Sequence, residues 1–99
     1  MKRATISAEA DADIDLIAAY TTKTWNWRQT DRYFGQLEDS FQLLTENPGI
    51  GRTCEAIIPG LRRFEVGKHV VFYRLKPNGI RIVRDLHQQM IPSKSHFEP

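Results

Sequence analysis

The sequence predicts an α+β domain of order β-α-α-β-β-β, with an antiparallel sheet packed against a two-helix hairpin. Three observations predict it. The first half carries two apolar stripes of helical period. The second half changes to short alternating, β-branched and aromatic segments. A connector rich in Pro and Gly, residues 47–60, divides the two.

Each element has a local cause. Residues 2–6 end on the β-formers Thr5 and Ile6 and are expected to form a first strand. Ser7 is a good N-cap, because its hydroxyl can accept an orphan backbone N–H, so a helix should start at about Ala8. Glu9 and Asp11 favour the positive end of that helix dipole. Ala10, Ile14, Ile17, Ala18, Thr21 and Trp25 recur at steps of three and four and draw its packing face. A second stripe runs Thr30, Tyr33, Phe34, Leu37, Phe41 and Leu44, with Asn26 placed to cap or bend the junction. This helix must stop near Glu46, because Asn47 precedes Pro48 and is pushed out of the α region. Residues 61–66, 69–75 and 80–87 then read as three strands, joined by turns at Gly67-Lys68 and Pro77-Asn78-Gly79. In the last strand, strict alternation groups Ile80, Ile82, Arg84 and Leu86 against Arg81, Val83, Asp85 and His87.

A chain of 99 residues is expected to be one domain spanning 1–99. Cys54 is the sole cysteine, so no internal disulfide supports the fold, which suits a reducing cytoplasm. The N-terminal Met-Lys-Arg has no apolar run behind it and is not read as a signal peptide. No stretch approaches the roughly 18 apolar residues of a membrane span. Net charge is +2, but residues 1–46 carry −3 and residues 47–99 carry +5. The basic half would suit an acidic partner or nucleic acid.

Signs of catalysis are sparse. Cys54, His69, His87 and His96 lack metal-ligand spacing, and no phosphate-binding glycine loop is present, so no metal or cofactor is expected. Asp11, Asp13 and Asp15 do not share a helix face and read as a solvated helix start. Trp25 is assigned to the first helix's packing face, whereas Trp27 either staples the junction or stays exposed for a partner. The basic residues of the strands are the main candidates: Arg62, Arg63, Lys68, Arg74, Arg81 and Arg84. Their guanidinium forks suit phosphate and carboxylate.

An ordered series of motifs resembles one family over nearly the whole chain. It runs from Trp25-Asn26-Trp27-Arg28-Gln29 with Tyr33 and Leu37 to Asn47-Pro48-Gly49-Ile50-Gly51-Arg52. It continues with Gly60-Leu61-Arg62-Arg63-Phe64 and His69-Val70-Val71-Phe72-Tyr73-Arg74, and closes on Ile82-Val83-Arg84-Asp85-Leu86-His87-Gln88-Gln89-Met90. The series is similar to that of the ParE-type toxins of type II toxin–antitoxin systems. The family often has Gly at the position of Asn26, Ala at that of Thr30 and a basic residue near Gln89, so these three positions depart from it.

The resemblance implies a toxin that binds DNA gyrase and traps it with cleaved DNA, silenced by a ParD-type antitoxin, and that is not itself an enzyme. On that reading Arg62, Arg63, Lys68, Arg74, Arg81, Arg84 and His87 form a surface for gyrase or gyrase-bound DNA. Trp27, Tyr33 and Phe34 are the expected antitoxin contacts. The alternative is that of the related RelE-type toxins, which cut mRNA on the ribosome. Those set Lys and Arg on two adjacent strands beside a C-terminal Tyr or His. Their cationic positions would fall at about Phe64 and Val70, which are apolar here, although His96 is present.

Overall fold

A computed structural model describes residues 3–90 and 92–97. The elements are β1 (Arg3–Ile6), α1 (Ala8–Thr24), α2 (Trp27–Glu46), β2 (Arg52–Thr53), β3 (Leu61–Val66), β4 (His69–Lys76) and β5 (Gly79–His87). Short 3-10 turns at Pro48–Ile50 and Lys94–His96 complete them. Lys2, which the sequence places in the first strand, lies outside the described residues.

The helices begin where their caps require. Ser7 Oγ accepts the Ala10 N–H at 3.0 Å, and its hydroxyl donates to Val83 O at 2.8 Å, so one serine caps α1 and ties it to β5. Asn26 Oδ1 accepts the Gln29 N–H at 3.0 Å and caps α2. The junction is therefore a tight two-residue break between antiparallel helices, with Thr22 and Thr30 bonded across it at 2.6 Å. α2 ends at Glu46, just ahead of Pro48.

The sheet has the order β1-β5-β4-β3-β2. Strands β3, β4 and β5 form the antiparallel meander the sequence predicts. Two features add to it. β1 joins as a parallel neighbour of β5, with Arg3 opposite Gly79 and Ile6 opposite Ile82. The two-residue β2 in the connector pairs with β3. The sheet is therefore mixed and five-stranded, because the α1–α2 hairpin returns the chain to the far side of the meander from β1.

One face of the sheet carries both helices. Ala10, Ile14, Tyr33, Leu37 and Leu44 pack there on Val66, Val71, Tyr73, Ile80 and Ile82. The other face has its own cluster of Cys54, Leu61, Val70, Phe72 and Leu86, covered by Ile57 and Ile58 of the connector and by Phe97. The connector is held by Tyr73, whose hydroxyl donates to Pro48 O at 2.7 Å and accepts the Gly51 N–H at 2.9 Å. A Cβ on residue 51 would lie 2.3 Å from that hydroxyl, so only glycine admits the contact.

Strict alternation fails once in β5. Tyr73 faces Ile82 and Phe72 faces Arg84, leaving Val83 as the extra residue of a β-bulge. The bulge reverses the facing of everything after it. Asp85 pairs with Val71 and enters the helix-side core, whereas Arg84 pairs with Phe72 on the opposite face. The grouping of Arg84 with Ile80 and Ile82 is thus corrected: Arg84 shares its face with Arg81.

Candidate functional site

The bulge creates a polar network at the sheet's edge. β1 covers β5 only as far as Ile82, so the rest of that edge is open to side chains of α1. Asp13 fills it. Its carboxylate grips Arg84 in bidentate fashion, with Nε–Oδ2 at 2.7 Å and Nη2–Oδ1 at 2.8 Å, and also accepts the Asp85 N–H at 3.1 Å. Arg84 donates further to His96 O at 2.9 Å. The hydrogen bonds that Arg84 donates to Asp13 raise its pKa, against the effect of partial burial. Asp13 is therefore no solvated helix residue, and its side chain is 11% exposed. Sequence spacing missed it because its partner is distant in the chain.

Beneath the helices, the Tyr33 hydroxyl donates to Asp85 Oδ2 at 2.5 Å. Asp85 is 1% exposed, and its Oδ1 has no hydrogen-bond partner among the described residues. Burial pushes its pKa up from 3.8 to about 6, partly offset by the Tyr33 bond. Burial raises Tyr33 as well, and the neighbouring Asp85 adds to that shift. A carboxyl with a raised folded-state pKa keeps a proton that the unfolded chain has released. Its contribution to stability is full below pH 3.8 and is lost as pH rises through about 6. Tyr33→Phe should cost about 2 kcal/mol at pH 7, where Asp85 is ionised and needs the donor. The loss should be smaller at pH 5, where it is protonated. Urea denaturation at the two pH values measures the difference. Tyr33, expected as an antitoxin contact, is a core residue whose hydroxyl is already engaged.

The seven basic candidates divide between the two faces. Arg62 lies on the helix side and donates to Gly51 O at 2.7 Å and Gly49 O at 3.2 Å, clamping the connector. Lys68 sits exposed in the β3–β4 turn. His87 stacks edge-on against His69 at 5.5 Å, and its Nδ1 accepts the Gln89 N–H at 3.1 Å. Burial lowers the His69 pKa, and His87 lowers it further. Arg63 is on the opposite face, 5.8 Å over the Phe72 ring and 3.7 Å from Glu65.

Arg74, Arg81 and Arg84 gather on that opposite face. With Lys76, Glu9, His96 and Phe97 they line a cleft of about 240 Å³. Lys76 follows Arg74 by two residues, so its facing was legible from strand period. His96 reaches the cleft only because the chain after β5 folds back, and no pattern marks that.

A second, larger groove of about 780 Å³ lies on the helix side. Leu16 and Tyr20 of α1, with Trp25 just past its end, form its apolar wall, and Arg32 and Lys68 contribute charge. No Asp or Glu lines it among the described residues. Leu16, Tyr20 and Trp25 are 71%, 67% and 68% exposed. Trp25 therefore departs from its expected packing role. α1 ends at Thr24, and Trp25, with φ −112° and ψ −83°, has left the helix whose spacing placed it inward. Trp27 is exposed and Phe34 partly so.

The fold is thus a small mixed sheet backed by a helical hairpin, with a basic cleft on one side and an apolar groove on the other. Comparison with known proteins identifies its family. The family model of the ParE toxin of type II toxin–antitoxin systems matches residues 4–92, and the chain belongs to that family. It is 39% identical over 92 residues to Toxin ParE1 of Caulobacter vibrioides, covering 91% of this chain and 93% of that protein. It is 37% identical over 86 residues to Toxin ParE1 of Mycobacterium tuberculosis, covering 86% and 88%. Its fold matches a solved chain of the chromosomal ParDE toxin–antitoxin system of P. aeruginosa. That match has a TM-score of 0.74 at 22% identity and covers 88% of this chain and 96% of that one.

Proposed function

We propose that this toxin acts in the cytoplasm by binding DNA gyrase and trapping the complex with cleaved DNA, and that a ParD-type antitoxin silences it. The observation that carries this reading is the division of cations. The positions that would hold the cations of a RelE-type nuclease are Phe64 and Val70. Phe64 packs into the helix-side core and Val70 into the cluster on the other face, so the two do not even share a surface. An apolar side chain cannot neutralise phosphate. Arg74, Lys76 and Arg81, which make no ion pair among the described residues, instead flank an open cleft that suits a partner.

The helix-side groove suits the antitoxin. An amphipathic acidic segment could set apolar side chains on Leu16, Tyr20 and Trp25 and carboxylates beside Arg32 and Lys68. Trp27 and Phe34 are exposed as well, but helical spacing sets them on the flank of α2 away from the groove-lining Gln29, Arg32 and Gln36.

One observation favours ribosome-dependent mRNA cleavage as a second reading. His96 stands at the cleft with Arg74 and Arg81, and a histidine beside cations is a candidate for moving a proton. Induction in bacterial cells separates the two. Gyrase trapping should break chromosomal DNA and arrest growth while protein synthesis continues, with growth restored by co-expressing the adjacent antitoxin. Translation arrest over intact chromosomes would favour the second reading.

A further inference from the structure

We infer that the cleft formed by Arg74, Lys76 and Arg81, on the sheet face opposite the helices, binds the phosphate backbone of duplex DNA. The choice of DNA over another polyanion rests in part on the gyrase reading. The rest comes from the electrostatics of the sheet.

Arg74 and Arg81 are directly opposite partners in the β4–β5 ladder. Side chains so placed stand with Cβ atoms roughly 5 Å apart, and like charges there destabilise a sheet. Neither arginine takes part in an ion pair among the described residues; those found join Arg52 and Arg63 to Glu65, and Arg84 to Asp13. Their side-chain hydrogen bonds are long and to neutral groups: Arg74 to Pro59 O at 3.4 Å and Arg81 to Thr5 Oγ1 at 3.4 Å. Lys76 extends the same row by one strand period. Arg84, close by, has its charge met by Asp13, and Glu9 is the one carboxylate lining the cleft among the described residues. Three cations thus converge on a concave surface without enough negative charge to balance them. Phosphates would supply it.

The surroundings favour a duplex over a single strand. Single-strand sites add aromatic platforms on which bases stack. Phe97, the cleft's aromatic residue, is turned onto Phe72 with ring centroids 5.0 Å apart and is committed to packing. The exposed tryptophans, Trp25 and Trp27, belong to the helical layer on the other side of the sheet. Backbone neutralisation without stacking is the chemistry of sequence-independent duplex binding.

The test is fluorescence anisotropy of a labelled mixed-sequence duplex with the purified chain, without gyrase, over a salt series. Three phosphate contacts predict a slope of log K against log salt of about −3. Arg81→Glu sets a carboxylate opposite Arg74, which favours folding and closes the cleft; binding should weaken at least tenfold. Arg74→Gln/Arg81→Gln should reduce the slope to about −1. Lys23→Glu/Arg28→Glu, a charge change on the helices, should leave binding within twofold. Binding that is insensitive to salt, equal losses in the cleft and helix variants, or tighter binding of single-stranded RNA than of duplex would overturn the assignment. Gyrase inhibition is measured separately on the same variants. Inhibition surviving in a variant that no longer binds DNA removes the cleft from the mechanism and leaves the gyrase reading standing. Duplex binding with no effect on gyrase does the reverse.

Discussion

Gly79→Ala should destabilise the chain by about 3 kcal/mol or more and detach its first strand. Gly79 has a φ of +139°, a conformation open to glycine and strained for any residue with a Cβ. It also lies opposite Arg3 in the parallel β1–β5 pairing. A Cβ there would sit 1.9 Å from Arg3 O and 2.7 Å from Arg3 N. Both atoms are backbone, so no side-chain rotation relieves the clash, and β1 must move. The loss would also remove the Arg3 N–H bond to Asn78 O at 2.9 Å. Chemical denaturation reads the free energy, and amide exchange of residues 3–6 reads the detachment. A variant within 1 kcal/mol of the parent that keeps those amides protected would contradict the account.

Asp13→Ala is the second large effect, at about 3 kcal/mol. The cost comes from what the substitution leaves behind. The Arg84 guanidinium, with its side chain 21% exposed, loses its bidentate partner, and the Asp85 N–H loses its acceptor. Breaking one side of such a pair is costlier than replacing both. The double variant Asp13→Ala/Arg84→Met should therefore recover part of the loss. A double-mutant cycle from thermal or urea unfolding gives the coupling directly. Purely additive losses would mean that the pair does not hold α1 to β5.

These two positions also mark the limits of the sequence. Ser7, Asn26 and Pro48 act through bonds or steric clashes a few residues away, so the helix ends were legible. So were the meander strands, whose β-branched and aromatic runs are bounded by turns. The direction of β1 was not, because a four-residue strand carries no information about which neighbour it will join. The bulge at Val83 was hidden for a different reason. Period-2 reasoning assumes an unbroken ladder, and one extra residue exchanges the faces of Arg84 and Asp85. That single irregularity sends Arg84 to the cleft side and sinks Asp85 under Tyr33.

The candidate site was legible in composition more than in place. The charge asymmetry directed attention to the second half of the chain, which supplies Arg74, Lys76 and Arg81 to the cleft. Which cations are engaged internally depends on contacts distant in sequence. Arg62 serves the connector and Arg84 serves Asp13, whereas Arg74 and Arg81 are left facing each other. Helical spacing likewise placed Trp25 inward, but the helix stops one residue short of it, and the ring lies on the groove.

The most direct test of the proposed mechanism is a plasmid cleavage assay with purified gyrase and the purified chain. Gyrase trapping predicts that linear plasmid accumulates only when both proteins are present, and that adding the antitoxin prevents it. Gyrase that supercoils normally in excess toxin, together with cleavage of mRNA on translating ribosomes, would contradict it.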